Sequence, residues 1–429
     1  QAVFDYYGVQ RVSDMDELAT ALVMFAQPHE AASGGLVCLH DSGGERQLII
    51  DLADGLKVPL TEVEESTTAR LSEMLDPGLP AVNPLDAWGA GGPNASATMA
   101  SCFSILLTDS GAAMGAVVHD RGPNSEIYSS YLDYLEKAQR ASGKPVFLVA
   151  NRQGSGADEL AISSTYQGLP VIDGVTQFLV GARCLLAYRD FQQRAVMKCD
   201  VTDQQKVDYW KRQLQDCDYV SESLASELLR DFGIPMIQSL EVSSLDELQT
   251  AVLNVGFPLV LKTAVQGIDH KTEVGGVILN ISDQPQLQDA YEDLLQRLGP
   301  AVTVAPMANN NGVEMILGVS RDEQFGPTVV VGFGGIYAEI LSDVAVMLPP
   351  FDSAEVKRVL KSLSMYPLLE GVRGGSPLDI DSYCDVAAKM SAIALALSDS
   401  VVEIDINPVR LGVKGCIGLD ALVVQEQKN

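Results

Sequence analysis

Between residues 35 and 192, short apolar runs alternate with longer amphipathic ones, and this alternation limits the fold more than any other feature. GLVCLH (35–40), a stretch around 104–107, GAVVH (115–119), PVFLVAN (145–151) and LPVI (169–172) read as buried strands. Helical periodicity falls between them, over 44–56, 66–75, 95–103, 126–142, 156–166 and 174–190. Strands apolar on both faces and separated by helices predict a doubly wound, flavodoxin-like α/β sheet over 35–192. Ser42, Gly43 and Gly44 after the first strand suit either a plain tight turn or an anion at a helix N-terminus. In the loop AVNPLDAWGAG (81–91), Asn83 and Asp86 read as structural supports. His40 and His119, at strand ends, read as satisfied structural residues rather than catalysts.

The flanking segments differ. Residues 1–34 predict a helix, a short strand through Val9 and Val12, and a second helix from Asp14 to Ala26 capped by Ser13 or Asp14. Residues 193–220 are polar with helical pieces and read as a linker. The chain has 429 residues, too many for one core, so two or three domains are expected.

Beyond the linker, a helix over SESLASELLRDFGIP is capped near Ser221, shows Leu224, Leu228 and Leu229 on one face, and stops at Gly233 and Pro235. The stretch LVLKTAVQGIDHKTEVGGVILNIS (259–282) then gives a strand ending in Lys262, a loop with His270 and Lys271, the pair Gly275–Gly276, and a second strand. A lysine on a strand and the N–H groups of a Gly-rich turn can hold phosphates. On this stretch alone, an ordinary surface hairpin is the competing reading.

The C-terminal stretch VEIDINPVRLGVKGCIGLDALVV (402–424) adds the opposite charge. Period two puts Glu403, Asp405 and Asn407 on one face, and the turn through Gly412 and Gly415 folds Asp420 back beside Asn407. Carboxylate and amide oxygens there are hard ligands suited to Mg²⁺ on nucleotide phosphates, with Asn407, Asp420 and Asp405 as the candidates. A basic phosphate loop and an acidic metal hairpin together are what nucleotide phosphotransfer requires.

These motifs carry a resemblance. LKTAVQGIDHKTEVGGV, GVEMILGVSRDEQFGP, GFGGIYAEILSDVA, GVRGG and EIDINPV…LDALVV occur in the order and spacing of the ATP-grasp portion of the ADP-forming acyl-CoA synthetases. This is the acetate–CoA ligase family, related to succinyl-CoA synthetase. The resemblance implies an ATP-grasp domain of two α+β subdomains, 221–302 and 303–429, following the flavodoxin-like domain. It implies ATP or ADP with Mg²⁺ here, and CoA in the complete enzyme. Lys262, Lys271, Gly275 and Gly276 would hold phosphates, Pro306 and Met307 would form the adenine hinge, and Glu314 would face the ribose or metal. Arg321 and Arg373 would neutralise transferring charge; the family usually has an aromatic before the second arginine, where this chain has Val372. His270 matches a second phosphoryl relay point, with simple ATP binding as the alternative. The chain begins at Gln1, and the resemblance makes residues 1–34 the remnant of a preceding domain, downstream of a phosphohistidine loop. The CoA-binding and phosphohistidine half would lie upstream or in a separate subunit of an oligomer. Two other readings stay open: an ATP-grasp ligase with a non-CoA acceptor, and a non-catalytic nucleotide-binding regulatory subunit.

Composition narrows the partners. A net charge of −28 argues against nucleic acid and anionic membranes. Seven dispersed cysteines without a C-x-x-C pair suit reduced thiols in the cytoplasm. The resemblance, not the composition, implies a small carboxylic acid, CoA and phosphate as partners; nothing in the residues says which acid.

Overall fold

In the computed structural model, residues 1–121, 127, 129–154, 159–194, 203–217, 219–268, 271–308, 311–335, 341–372 and 374–426 are described. The chain divides into two units. One holds Tyr7–Ala195; the other holds Gln1–Tyr6 with Val196–Asn429.

In the first unit the alternation produces five parallel strands: β1 (Gly35–His40), β2 (Leu85–Asp86), β3 (Ala112–His119), β4 (Val146–Ala150) and β5 (Val171–Asp173). Their order, β2-β1-β3-β4-β5, is that of a flavodoxin-like sheet. Alternate residues feed two cores. Val37 and Leu39 pack with Phe103 and Leu135 on one face, while Leu36 and Cys38 pack with Phe147, Val149 and Phe178 on the other. Each such Leu or Phe, fully buried, contributes about 1.5–3 kcal/mol.

Two expectations fail here. The stretch around 104–107 is not a strand but the end of helix Ala95–Leu107. Ile105, Leu106 and Leu107 are all buried because that helix packs against β1, β3 and neighbouring helices. A short apolar run of this kind has no periodicity that separates strand from helix. No strand forms through Val9 and Val12 either: Val9 is 48% exposed and finds no neighbouring strand among the described residues. The following helix, Met15–Phe25, does start as expected. Asp14 accepts from the Glu17 N–H at 2.8 Å, and Glu17 accepts from the Ser13 N–H at 2.6 Å.

The ends of β1 and β3 give this unit a pH signature. His40 and His119 are 0% and 1% exposed, and neither ring nitrogen of His40 has a hydrogen-bond partner among the described residues. Burial, aided at His40 by Arg46, lowers them to about 3 and about 4. Glu45, in the first turn of helix Gly43–Leu56, moves the other way. Burial and its neighbour Asp41 raise it to about 7, against the hydrogen bond from Asn151. Unfolding lets each histidine take up a proton below about pH 6.5, so each makes stability rise with pH, by up to ~1.4 kcal/mol per pH unit. Glu45 holds its proton only in the fold above about pH 4.5, so its share falls as pH rises to about 7; solvent on its open side trims that share. Two rising contributions against one trimmed, falling contribution leave a net rise of roughly 1.4–2.8 kcal/mol per unit between pH 5 and 6 from these groups. Glu45→Gln is predicted to steepen it, read from urea unfolding at the two pH values. An unchanged slope would contradict this account.

The second unit holds two sheets. The smaller has β6 (Leu240–Val242), β7 (Leu259–Thr263), β8 (Val277–Ile281) and β9 (Val302–Pro306), antiparallel in the order β6-β9-β7-β8. Helices Leu245–Val255 and Gln284–Arg297 cover it, with Leu248, Val252, Leu287 and Leu294 in the core. The larger has β10 (Val313–Asp322), β11 (Gly326–Phe333), β12 (Val344–Met347), β13 (Val401–Leu411), β14 (Cys416–Gly418) and β15 (Leu422–Gln425). Its order is β12-β11-β10-β13, and β14 and β15 share the far edge of β13.

Within 193–220, helix Gln204–Asp216 docks on the larger core. Val207, Trp210 and Leu214, at helical spacing, are buried with Leu228, Leu229 and Ile404. The rest of that helix is polar, which is why its composition reads as a linker. Among the described residues, no helix is long and apolar enough to cross a membrane.

Candidate functional site

The site grows from β7. Leu259 and Leu261 face the helices, so period two turns Lys262 to the opposite side. There the segment after helix Glu222–Asp231 runs beside the end of β14. The Gly418 N–H donates to the Pro235 carbonyl and the Ile237 N–H to the Gly418 carbonyl, both at 2.8 Å. This stitching and the packing of the helix against β15 hold the helix and the 419–421 turn together beside Lys262. Ser221 caps the helix, its hydroxyl accepting from the Leu224 N–H at 3.3 Å, and Glu222 occupies the first turn.

The result is a closed group of four charges. Lys262 Nζ donates to Glu222 Oε1 at 2.9 Å and to the Leu419 carbonyl at 2.8 Å, and lies 3.2 Å from Asp420 Oδ2. Lys271 Nζ donates to Glu222 Oε2 at 2.8 Å and to Asp420 Oδ1 at 3.4 Å. Side-chain exposure is 7% for Glu222, 10% for Lys262, 16% for Lys271 and 29% for Asp420. Burial works to lower the Lys271 ammonium, but Asp420 and then Glu222 outweigh it and hold the group above the ordinary lysine range. Paired in this way, buried charges avoid the several kcal/mol that an isolated one would cost.

The Gly-Gly turn sets Lys271 in place. Gly275 has φ +63°, and a side chain on Gly276 would meet Thr263 Cγ2 at 2.6 Å. The Gly275 N–H donates to the Thr272 carbonyl at 3.1 Å and the Gly276 N–H to the Lys271 carbonyl at 2.7 Å. In this state both donors serve the turn itself.

The acidic strand follows the expected period from 403 to 407: Ile404 and Ile406 are buried, Glu403 and Asn407 are exposed, and Asp405 is half-buried. A register shift against β10 then brings Val409 into the core. The Leu419 N–H donates to the Pro408 carbonyl at 3.0 Å, which keeps the Asp420 turn against the Asn407–Pro408 segment. Among the described residues, no three or more His, Cys, Asp or Glu side chains are grouped to hold a metal.

The other expected residues divide. Pro306 pairs with Leu259, and the Met307 N–H donates to the Pro258 carbonyl at 2.9 Å. Leu259 and Lys262 are three positions apart on β7, so this strand end lies roughly 10 Å from the lysine. Glu314 pairs with Arg410 at 2.7 Å across β10 and β13. Arg321 sits four residues beyond Leu317 on β10, roughly 13 Å further along. It is tied to Glu426 and to the Ser398 carbonyl, so the structure does not bring it to the lysines. His270 and Arg373 lie outside the described residues. Sequence reasoning missed Glu222, since an acidic residue in a first helical turn already has a local explanation in the helix dipole.

The family described as ATP-grasp domain matches residues 213–424. The acetate–CoA ligase [ADP-forming] I of Archaeoglobus fulgidus is 27% identical over 99% of this chain and 61% of its own length. The acetate–CoA ligase [ADP-forming] I subunit beta of Pyrococcus furiosus is 32% identical, over 47% of this chain and 90% of that subunit. The chain belongs to the ADP-forming acetate–CoA ligase family. A further relative, a trans-feruloyl-CoA synthase from an unknown prokaryotic organism, is 28% identical over 98% of the chain and 60% of its own length. The chain thus spans about three fifths of the length of the relatives that it matches nearly throughout. A solved structure of the dinucleotide forming acetyl-coenzyme A synthetase 1 of Ca. Korarchaeum cryptofilum is 30% identical, covers 51% of this chain and 98% of its own, and superposes with a TM-score of 0.47.

Proposed function

We propose that this chain is the ATP-using half of an ADP-forming acid–CoA ligase. The complete enzyme would turn a carboxylate, CoA and ATP into an acyl-CoA, ADP and phosphate. The observation that carries this reading is the Lys262–Lys271–Glu222–Asp420 group, set where two ATP-grasp sheets meet and about one nucleotide's reach from Pro306. Adenine would seat against Pro306 and Met307, with Glu314 toward the ribose. The two ammonium groups would neutralise phosphate oxygens, and the Gly275–Gly276 turn would hold Lys271 over them. Asn407 and Asp420, with Asp405 beside them, are hard oxygen donors that fit Mg²⁺ held mainly by phosphates and water. When bound, that ion supplies positive charge to the phosphate oxygens. Arg373 would add charge, and Arg321, tied to Glu426, is left out.

The acyl phosphate, the phosphohistidine and the relay through His270 are proposed from the resemblance. So are an upstream or separate CoA-binding half, an oligomeric assembly and a cytoplasmic setting, the last supported by six free cysteines among the described residues. The full-length gene product, given MgATP, CoA and a panel of small carboxylic acids, is predicted to release ADP with each thioester formed. Release of AMP and pyrophosphate, or thioester formation without ADP, would overturn the reading.

A further inference from the structure

Glu222 is the most buried member of the charged group, at 7% side-chain exposure, and each of its oxygens meets a different lysine, at 2.9 and 2.8 Å. Asp420 meets the same two ammonium groups at 3.2 and 3.4 Å and is 29% exposed. The two carboxylates are therefore not equivalent. Asp420 is the looser partner, on the turn that the Leu419 N–H ties to the Pro408 carbonyl. Glu222 is fixed in the first turn of a capped helix, where its charge also suits the helix dipole.

We propose that Glu222 is a positioning residue and a counter-charge. It holds Lys262 and Lys271 side by side while the site is empty, and it sets how strongly that pair attracts a polyphosphate. This rests on the reading that the two lysines bind phosphates. With both carboxylates in place the group is neutral: two positive charges against two negative. Once Asp420 turns to a metal, one net positive charge faces the phosphates, and a bare polyanion without a metal meets a neutral site. Glu222 therefore selects the metal–nucleotide complex over free polyphosphates. It does so through the lysines, without touching the ligand.

The test is equilibrium binding of metal-free tripolyphosphate and of MgADP to wild type, Glu222→Gln, Glu222→Asp and Lys262→Met. Glu222→Gln keeps the shape and removes the charge. It is predicted to bind tripolyphosphate about tenfold tighter than wild type, because a like charge near the phosphates is gone. Glu222→Asp keeps the charge but is too short to bridge both lysines. It is predicted to gain no tripolyphosphate affinity and to lose several-fold in MgADP affinity. A merely structural glutamate would give weaker binding, or none, in both variants. If Glu222→Gln binds tripolyphosphate no tighter while Lys262→Met loses MgADP, the counter-charge role is wrong and the phosphate reading stands. If Lys262→Met binds MgADP like wild type, the phosphate reading falls and this inference falls with it. Should Glu222→Gln fail to fold, a gain in tripolyphosphate affinity by Glu222→Asp would still overturn the proposal.

Discussion

Lys262→Met is expected to weaken binding of MgATP by about a hundredfold, equivalent to roughly 3 kcal/mol. Methionine keeps the apolar stem that packs behind β7 and removes only the ammonium. That ammonium is the deeper of the two lysine heads and is held by three oxygens, from Glu222, Leu419 and Asp420. A phosphate that replaces one of these oxygens gains a charge-assisted hydrogen bond in a largely dry site, which is where such bonds are strongest. The fold should survive, since Glu222 keeps Lys271 at 2.8 Å and Asp420 is partly in water. Calorimetric titration of wild type and variant, with the unfolding midpoint as a control, decides it. A variant that stays folded and loses less than about threefold, well under 1 kcal/mol, would remove Lys262 from the site.

Trp210→Ala is expected to cost the second unit about 4 kcal/mol, the usual size for a buried aromatic deleted from a packed core. Trp210 is 2% exposed, and its indole N–H donates to Asp231 Oδ2 at 2.8 Å. Removing it opens a cavity between helix Gln204–Asp216 and the core under β10 and β13, and takes away a partner of Asp231. Urea unfolding followed by circular dichroism gives the shift. The chain's other tryptophan, Trp88, lies in the flavodoxin-like unit and reports that unit separately by fluorescence. A loss below about 0.5 kcal/mol is what a loosely tethered linker would give, and it would contradict the docking of this helix.

The comparison of these two positions shows what was legible in the chain. Lys262 stood out because local rules sufficed: a branched apolar run ending in lysine, then a Gly-Gly turn and another strand. The helix caps at Asp14 and Ser221 were equally local. Trp210 was hidden because three apolar residues at helical spacing on a polar helix do not change its overall composition. The stretch 104–107 misled for the opposite reason, since a helix buried on several sides loses its periodicity. Glu222 was out of reach. Its partners lie 40 and 49 residues away along the chain, and no local pattern links them: tertiary packing of the helix, including the pairing of Pro235–Ile237 with Gly418, brings them together. Arg321 shows the converse: a suitable side chain next to a suitable motif, placed by strand length beside Glu426.

Hydrogen exchange of the chain with and without MgATP tests the central claim most directly. The account predicts slowed exchange in three separate segments: the β7–β8 hairpin over 259–281, the end of β9 near Pro306, and the 407–422 hairpin. Protection confined to the flavodoxin-like unit, or unchanged exchange at saturating MgATP, would contradict it.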